Sequence, residues 1–294
     1  MTPSTSTHIT LSPQRAPRND EIDVFSVSHP GKVRKTNQDR FLLATINKHV
    51  NVVDSNLEEQ ERLPIGDERL AFLAMVADGV GGGTGGAEAS AMTLETVMQY
   101  VNDSLLAFYG ARTDEAEFTE LLQAAAMRAH EAVKKRRQEQ GILGTMATTL
   151  TLYFSIWPVY YLLQLGDSRY YLFRDGKLRQ VTRDQTMAQD LVDEGVLTRA
   201  AAAKTPMANV LSSAIGGDAT TPVVTRLQGS WNSVHLICSD GLTRHVTDER
   251  IAEILGSMTS SKQGGEQLLL EALDAGGTDN ITIILGRPLA KDQV

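Results

Sequence analysis

Apolar positions fall along this chain in two rhythms. The runs "VFSVSH" (24–29), "RFLLATI" (40–46) and "RLAFLAMVAD" (69–78) are short and largely apolar, and they read as strands. Two helices follow in succession. Leu94, Val97, Met98 and Val101 recur at i, i+3, i+4, i+7, and Phe118, Leu121, Leu122, Ala125, Ala129 and Val133 repeat the pattern. Lys134-Lys135-Arg136-Arg137 closes the second helix, where cations oppose the negative end of the macrodipole. Short strands come next: "ATTLTLYFS" (147–155), "VYYLLQLGD" (159–167), "RYYLFRD" (169–175) and "KLRQVT" (177–182), with Trp157-Pro158 and Asp175-Gly176 as turns. The stretch 186–215 reads as helical and mobile. "SVHLICSD" (233–240) is a further strand. Thr247-Asp248-Glu249 opens a helix that buries Ile251, Ile254 and Leu255, another helix spans 264–274, and "NITIILG" (280–286) is the last strand.

Helices in blocks and strands in hairpin series do not alternate as a parallel sheet requires. The expected fold is α+β: an antiparallel two-sheet core with helices packed outside. Residues 1–20 are polar and without period, a flexible arm. The acidic stretch 47–68 reads as a solvated loop or hairpin excursion. No internal repeat or linker interrupts the rest, so one domain over 21–290 is expected.

Composition narrows the classes. The formal charge of −8 and pI near 5.3 argue against broad binding to nucleic acid or to anionic membranes. One cysteine, Cys238, forms no internal disulfide, which points to a reducing compartment. No apolar run is long enough to span a bilayer, and the first twenty residues lack a signal-peptide core. A soluble cytoplasmic protein is expected.

The segment "MVADGVGGGTGG" (75–86) poses the chemical question. Gly81, Gly83 and Gly86 satisfy G-x-G-x-x-G, the dinucleotide fingerprint. That fingerprint needs a second strand after the helix, and here a second helix follows. A P-loop would need G-K-[ST], which is absent. Asp78 also stands where a pyrophosphate would approach. Asp78 is instead one of a set: Asp78, Asp167 and Asp240 end apolar runs beside glycines, and Asp39 and Asp279 stand just before such runs. Carboxylates gathered at buried strand ends repel one another unless cations neutralise them, and hard divalent cations take oxygen ligands of this kind. A single Asp-Gly is an ordinary turn. The repetition is the signal, although it does not itself say that the ends converge.

The ordered motifs "GKVRKTNQDRF" (31–41), "VADGVGG" (76–82), "GTMATTL" (144–150), "GDSRYYLFRDGKL" (166–178), "AIGG" (214–217), "ICSDGL" (237–242) and "GGTDNIT" (276–282) resemble those of the metal-dependent type 2C serine/threonine phosphatases, and "DQTMAQDLVDEGVLT" (184–198) is most similar to the bacterial branch. The resemblance covers about 25–287. It implies a four-layer α-β-β-α sandwich with a dinuclear metal centre at one end. By motif match, Asp78 would bridge two metals and the Gly79 carbonyl would bind one of them. Asp240 and Asp279 would hold the other. Asp39 would lie in or just behind the shell. Asp167 would serve a third, weaker metal, and Arg34 would grip the substrate phosphate. The implied cofactors are Mn²⁺ or Mg²⁺. The implied reaction is hydrolysis of phosphoserine or phosphothreonine in proteins by a metal-bridged hydroxide attacking phosphorus in line. The implied partners are phosphoproteins made by a Ser/Thr kinase, with the enzyme a monomer.

Three departures from the family pattern stand out. Val80 replaces a histidine proposed elsewhere as general acid. "GTMATTL" differs from the commoner G-T-T. "TPMAN" (205–209) replaces a His-Pro-x-Arg-Asn pattern, with Thr205 and Ala208 at altered positions. None removes a metal ligand. His29 reads as a loop histidine and Cys238 as a buried structural thiol. Two other functions compete with phosphatase activity: a silent phosphoprotein-binding module on the same fold, and nucleotide binding through the glycine loop. Silent relatives tend to lose aspartates, and here the set is complete.

Overall fold

Strands whose two faces are both apolar need cover on both sides, and this chain supplies it with a second sheet and with helices. The computed structural model describes residues 15–48, 68–81, 84–108 and 115–289. One antiparallel sheet runs β10 (Val223–Gln228), β7 (Val159–Leu165), β6 (Leu150–Ile156), β3 (Glu68–Ala77), β2 (Arg40–Lys48). The other runs β1 (Ile22–His29), β12 (Ile281–Pro288), β11 (Val234–Cys238), β8 (Arg169–Arg174), β9 (Lys177–Gln180). A small pair, β4 (Gly79–Val80) and β5 (Ala147–Thr148), sits beside them.

The period-2 alternation sorts each strand between two cores. Leu73 and Met75 of β3 and Leu152 and Phe154 of β6 face α1 (Gly85–Phe108) and α2 (Glu115–Glu139), where Val97, Leu122 and Ala125 meet them. Ala74, Val76, Tyr153 and Leu162 face inward, against Tyr170, Ile237 and Ile284 of the other sheet. Leu236, Cys238 and Leu285 face outward again, onto α6 (Asp248–Ser257) and α7 (Ser261–Asp274). The result is the four-layer sandwich.

Several expectations need correction. The run 147–155 is two strands, because Thr149 leaves the ladder to bond Asp78. The edge strand β10 was not expected. Its half-exposed, short "VVTRLQ" lacks clean alternation. Helix α7 begins at Ser261, not at 264: the Ser260 hydroxyl caps it by accepting from the Gln263 amide, and Gly264 and Gly265 mask its first turn. Asp240 does not end a strand but opens the short helix α5 (Asp240–Thr243). Strand β7 likewise stops at Leu165, leaving Asp167 in the turn to β8. The stretch 186–215 contains α3 (Met187–Asp193), α4 (Arg199–Ala202) and a 3-10 turn at Pro206–Asn209.

Of the expected N-terminal arm, residues 15–20 lie against the sandwich. Arg15 pairs doubly with the buried Glu21 carboxylate at 2.6 Å, and Arg69 reaches Asn19 at 2.8 Å. The rest of that arm, and all but the ends of the 47–68 excursion, lie outside the described residues.

Candidate metal centre and its cleft

The aspartates singled out in the sequence come together at one end of the sandwich. Strand β2 begins just after Asp39, β3 ends just before Asp78, β11 leads into Asp240, and β12 starts just after Asp279. Asp167 joins them from the β7–β8 turn. Asp78 feels Asp39, Asp240, Asp167 and Asp279 at once: burial first, then those four charges, push its carboxyl well above the usual range. Burial likewise raises Asp39 to about 6, against the hydrogen bonds from Thr282 and Ser239. It raises Asp167 to about 7, with Asp240 and Asp184 adding to the effect. Asp240 is raised as well, by burial first and then against the pull of Arg244.

Each carboxylate is held by its surroundings. Asp39 Oδ2 accepts from Ser239 Oγ and Thr282 Oγ1, both at 2.7 Å. The Asp78 amide donates to Thr149 Oγ1 at 2.9 Å, and its carbonyl accepts from the Thr149 amide and Thr148 Oγ1. Thr149 Oγ1 also meets Ser168 Oγ at 2.8 Å, which ties the Asp78 and Asp167 loops together. Asn280 accepts from the Gln38 amide and donates to the Pro30 and Thr36 carbonyls, so it fixes the loop that carries Arg34.

The glycines serve this packing. A Cβ on Gly79 would run into the Gly86 carbonyl and the Gln38 carbonyl, and one on Gly241 would strike the Asn280 carbonyl. Close approach of backbones, not a phosphate cradle, explains these positions. Gly83 lies outside the described residues.

Two arginines face the cluster. Arg34 binds Asp279 through both nitrogens of its fork. Arg244 pairs with Asp240 and reaches Asp279 Oδ2 at 3.3 Å. Burial works against the Arg244 charge, but Asp240 and Asp279 outweigh it and raise its pKa. Sequence reasoning missed Arg244, as it missed Thr149 and Asn280. Its only signal is a position four residues after Asp240, one helical turn on.

Were all five carboxylates ionised, two guanidinium groups would leave three negative charges in excess, which is why burial and mutual repulsion favour the protonated forms of Asp78 and Asp167. Asp39 Oδ1 and Asp240 Oδ1 are buried and have no hydrogen-bond partner among the described residues. A hard, all-oxygen, anionic donor set with orphaned buried oxygens fits divalent cations. Among the described residues no three His, Cys, Asp or Glu side chains already close around one point, and Asp240 and Asp279 are turned to Arg244 and Arg34. Cation binding would exchange those two ion pairs.

A cleft of about 740 Å³ adjoins the cluster, lined by Asp167, Asp240 and Arg244 together with Arg183, Asp184 and residues of α3 and α4. Arg169 and Asp184, both in its lining, form an ion pair. Cys238 faces the outer helices, and burial pushes its thiol up to about 12, so it is no nucleophile. His29 Nδ1 accepts from the Gly31 amide.

Such a site defines a class of protein: a two-sheet α+β sandwich with an acidic cluster whose oxygen donors suit divalent cations. The comparisons agree. The family model "Protein phosphatase 2C" matches residues 55–274, and the chain belongs to that family. It is 32% identical over 215 residues to the serine/threonine protein phosphatase PstP of Mycobacterium tuberculosis, covering 73% of this chain but 40% of that one. It is 29% identical to the serine/threonine phosphatase Stp of Listeria monocytogenes, covering 72% of this chain and 83% of that one. The M. tuberculosis PstP/Ppp crystal structure superposes with a TM-score of 0.73 at 28% identity, covering 92% of this chain and 99% of that one. The PstP catalytic domain in complex with two manganese ions gives 0.70 at 27% identity, again covering 92% and 99%.

Proposed function

We propose that the chain is a metal-dependent protein phosphatase that hydrolyses phosphoserine and phosphothreonine, with residues 21–290 as a single catalytic domain. The observation that carries this is the convergence of Asp39, Asp78, Asp167, Asp240 and Asp279 beside Arg34 and Arg244. Asp78, the Gly79 carbonyl, Asp240 and Asp279 would hold two Mn²⁺ or Mg²⁺ ions, which would supply charge to balance the clustered carboxylates. Asp39 stands behind them, and Asp167 serves a third, weaker site. Bound there, such cations bring the pKa of water toward neutrality and stabilise charge on phosphoryl oxygens.

The chain's own residues do the rest. Arg34 is an exposed planar fork at the mouth of the cluster, suited to two phosphate oxygens. The threonine and serine hydroxyls around Asp39 and Asp78 keep the carboxylates in place. The cleft between Asp167 and α3–α4 takes the peptide that carries the phosphate. The expected substrates are phosphoproteins made by a Ser/Thr kinase, and the enzyme is a cytoplasmic monomer. No helix among the described residues is long and apolar enough to cross a membrane.

The test is metal-dependent hydrolysis of p-nitrophenyl phosphate and of a phosphothreonine peptide. Activity is lost on chelation and returns with Mn²⁺, more weakly with Mg²⁺. Undiminished hydrolysis in excess EDTA after dialysis would overturn the reading. Binding of phosphopeptide without turnover would favour a silent module.

A further inference from the structure

A second cavity, about 300 Å³ in volume, lies between the two sheets. It is at the far end from the aspartates. Strand β3 runs from its wall at Arg69 and Phe72 toward Asp78, and β11 runs from its wall at His235 toward Asp240. Five residue steps of extended chain lead from His235 to Asp240, about 17 Å.

The lining is mostly aromatic and aliphatic and includes Phe72, Tyr153, Trp157, Tyr160 and Ile284. The Tyr153 and Tyr160 rings stand 5.3 and 5.1 Å from the His235 ring. His235 Nδ1 is paired with Tyr170 Oη at 2.7 Å. Its Nε2 is buried and has no hydrogen-bond partner among the described residues. Only three other buried side-chain atoms there share that state, and two of them, on Asp39 and Asp240, belong to the metal centre. Buried polar atoms are ordinarily satisfied, so an orphan on the wall of a cavity marks a place for a partner.

We propose that this cavity is a binding site for a small uncharged molecule with an aromatic or alicyclic body and one hydrogen-bonding group, which meets His235 Nε2. The volume lies at the lower end of the range for small-molecule pockets, and mostly apolar walls with one placed polar group are their usual make-up. The ligand is neutral because no carboxylate among the described residues lines the cavity to hold a cation, and the guanidinium donors that an anion would need are already directed to other acceptors. Arg69 donates to the Pro17 carbonyl and Asn19 Oδ1, and Arg287 donates to Asp23 Oδ2 at 3.0 Å and the Thr259 carbonyl at 2.6 Å. The imidazole is neutral as well, since burial pushes its pKa down to about 3.

Tryptophan fluorescence reads this site directly. Trp157 lines it, and the chain's other tryptophan, Trp231, packs edge-on against Trp157 at 5.6 Å. The probes are 4-nitrobenzyl alcohol, a neutral quencher with one hydroxyl, and 4-nitrotoluene, which lacks it. The full chain is expected to show saturable quenching by the alcohol. Ser155→Phe, which places a ring in the half-buried wall, abolishes saturation. His235→Phe keeps the ring but loses Nε2, and it weakens the alcohol about five- to tenfold while leaving 4-nitrotoluene unchanged. Cooperative thermal unfolding checks that each variant is folded. Quenching that rises linearly, with one slope in all three proteins, overturns the site. Equal losses of both probes in His235→Phe overturn the hydrogen bond assigned to Nε2.

Discussion

Arg34 and Asp279 meet as a parallel fork: Nε lies 2.8 Å from Oδ1 and Nη2 lies 2.7 Å from Oδ2. A proposed phosphate-gripping residue is thus bound to a proposed metal ligand. The two ligands of the site are thereby coupled, because a cation that takes the Asp279 carboxylate frees the guanidinium for an anion. Cation first and phosphate second is the order this pairing favours.

Arg34→Ala should raise KM for a phosphothreonine peptide about 10- to 100-fold, the range for a lost charge-assisted contact, with kcat largely kept. Removing a competing cation from Asp279 should also tighten Mn²⁺ binding. Steady-state kinetics and calorimetric titration read the two effects. An unchanged KM removes Arg34 from phosphate binding.

Asp78→Asn should lower kcat roughly a thousandfold or more, because it takes a charge from the metal shell in a low-dielectric site. In EDTA the same variant should unfold at a higher temperature than the parent, since burial and four neighbouring carboxylates already disfavour charge at Asp78. Near-normal kcat would mean that another residue bridges the metals.

Metal should stabilise the fold. At a hundred times its Kd, Mn²⁺ adds about 2.7 kcal/mol. The effect depends on pH in a stated direction. Asp39 and Asp167 titrate near 6 and 7 in the folded chain against 3.8 ordinarily, so the folded state holds protons that the unfolded state has lost. In chelator their contribution to stability therefore falls as pH rises from about 4 to 7. Mn²⁺ should cancel that fall. Scanning calorimetry across this window, with and without metal, tests it, and identical profiles would count against a carboxylate cluster that binds cations.

Asp167→Ala should keep the tight metal pair and slow hydrolysis of phosphopeptide more than that of p-nitrophenyl phosphate. Val80 supplies no proton, and an activated leaving group needs little protonation. Calorimetry and kcat on the two substrates separate the outcomes. Equal losses would deny Asp167 a part in leaving-group departure, and loss of the tight pair would place it among the primary ligands.

Acid should weaken the sandwich through His235. Burial lowers its pKa to about 3, and Arg174 adds to the effect. Between pH 6.5 and 3 the unfolded chain binds a proton that the folded chain refuses, so this contribution is complete above 6.5 and is lost on acidification. From pH 7 to pH 5 the loss is about 2 kcal/mol. His235→Phe should remove that increment from the pH dependence seen in urea denaturation. Parallel curves for parent and variant would show that the folded chain accepts the proton.

The sequence made the sheets legible because their central strands are buried on both faces. "RLAFLAMVAD" has no polar side to confuse with a loop. It made the carboxylates legible because each abuts an apolar run. The supports were harder to see. Thr149 breaks a strand in order to bond Asp78 across 71 residues, and nothing local announces it. Asn280 was visible only as part of a motif, although it holds the loop of residues more than 240 positions away. Arg244 stood in an ordinary helical turn. Strand β10 sits at an edge with little to bury, so its pattern was weak.

The cleft has one further consequence. Strand β9 is the outer strand of one sheet and β10 the outer strand of the other. The chain between them, with α3 and α4, therefore stitches the seam of the sandwich and is fastened at both borders. None of the five aspartates lies on it. On the proposed function, the choice of phosphopeptide is thus written in one seam segment and the chemistry in another part of the chain, so each can change without the other.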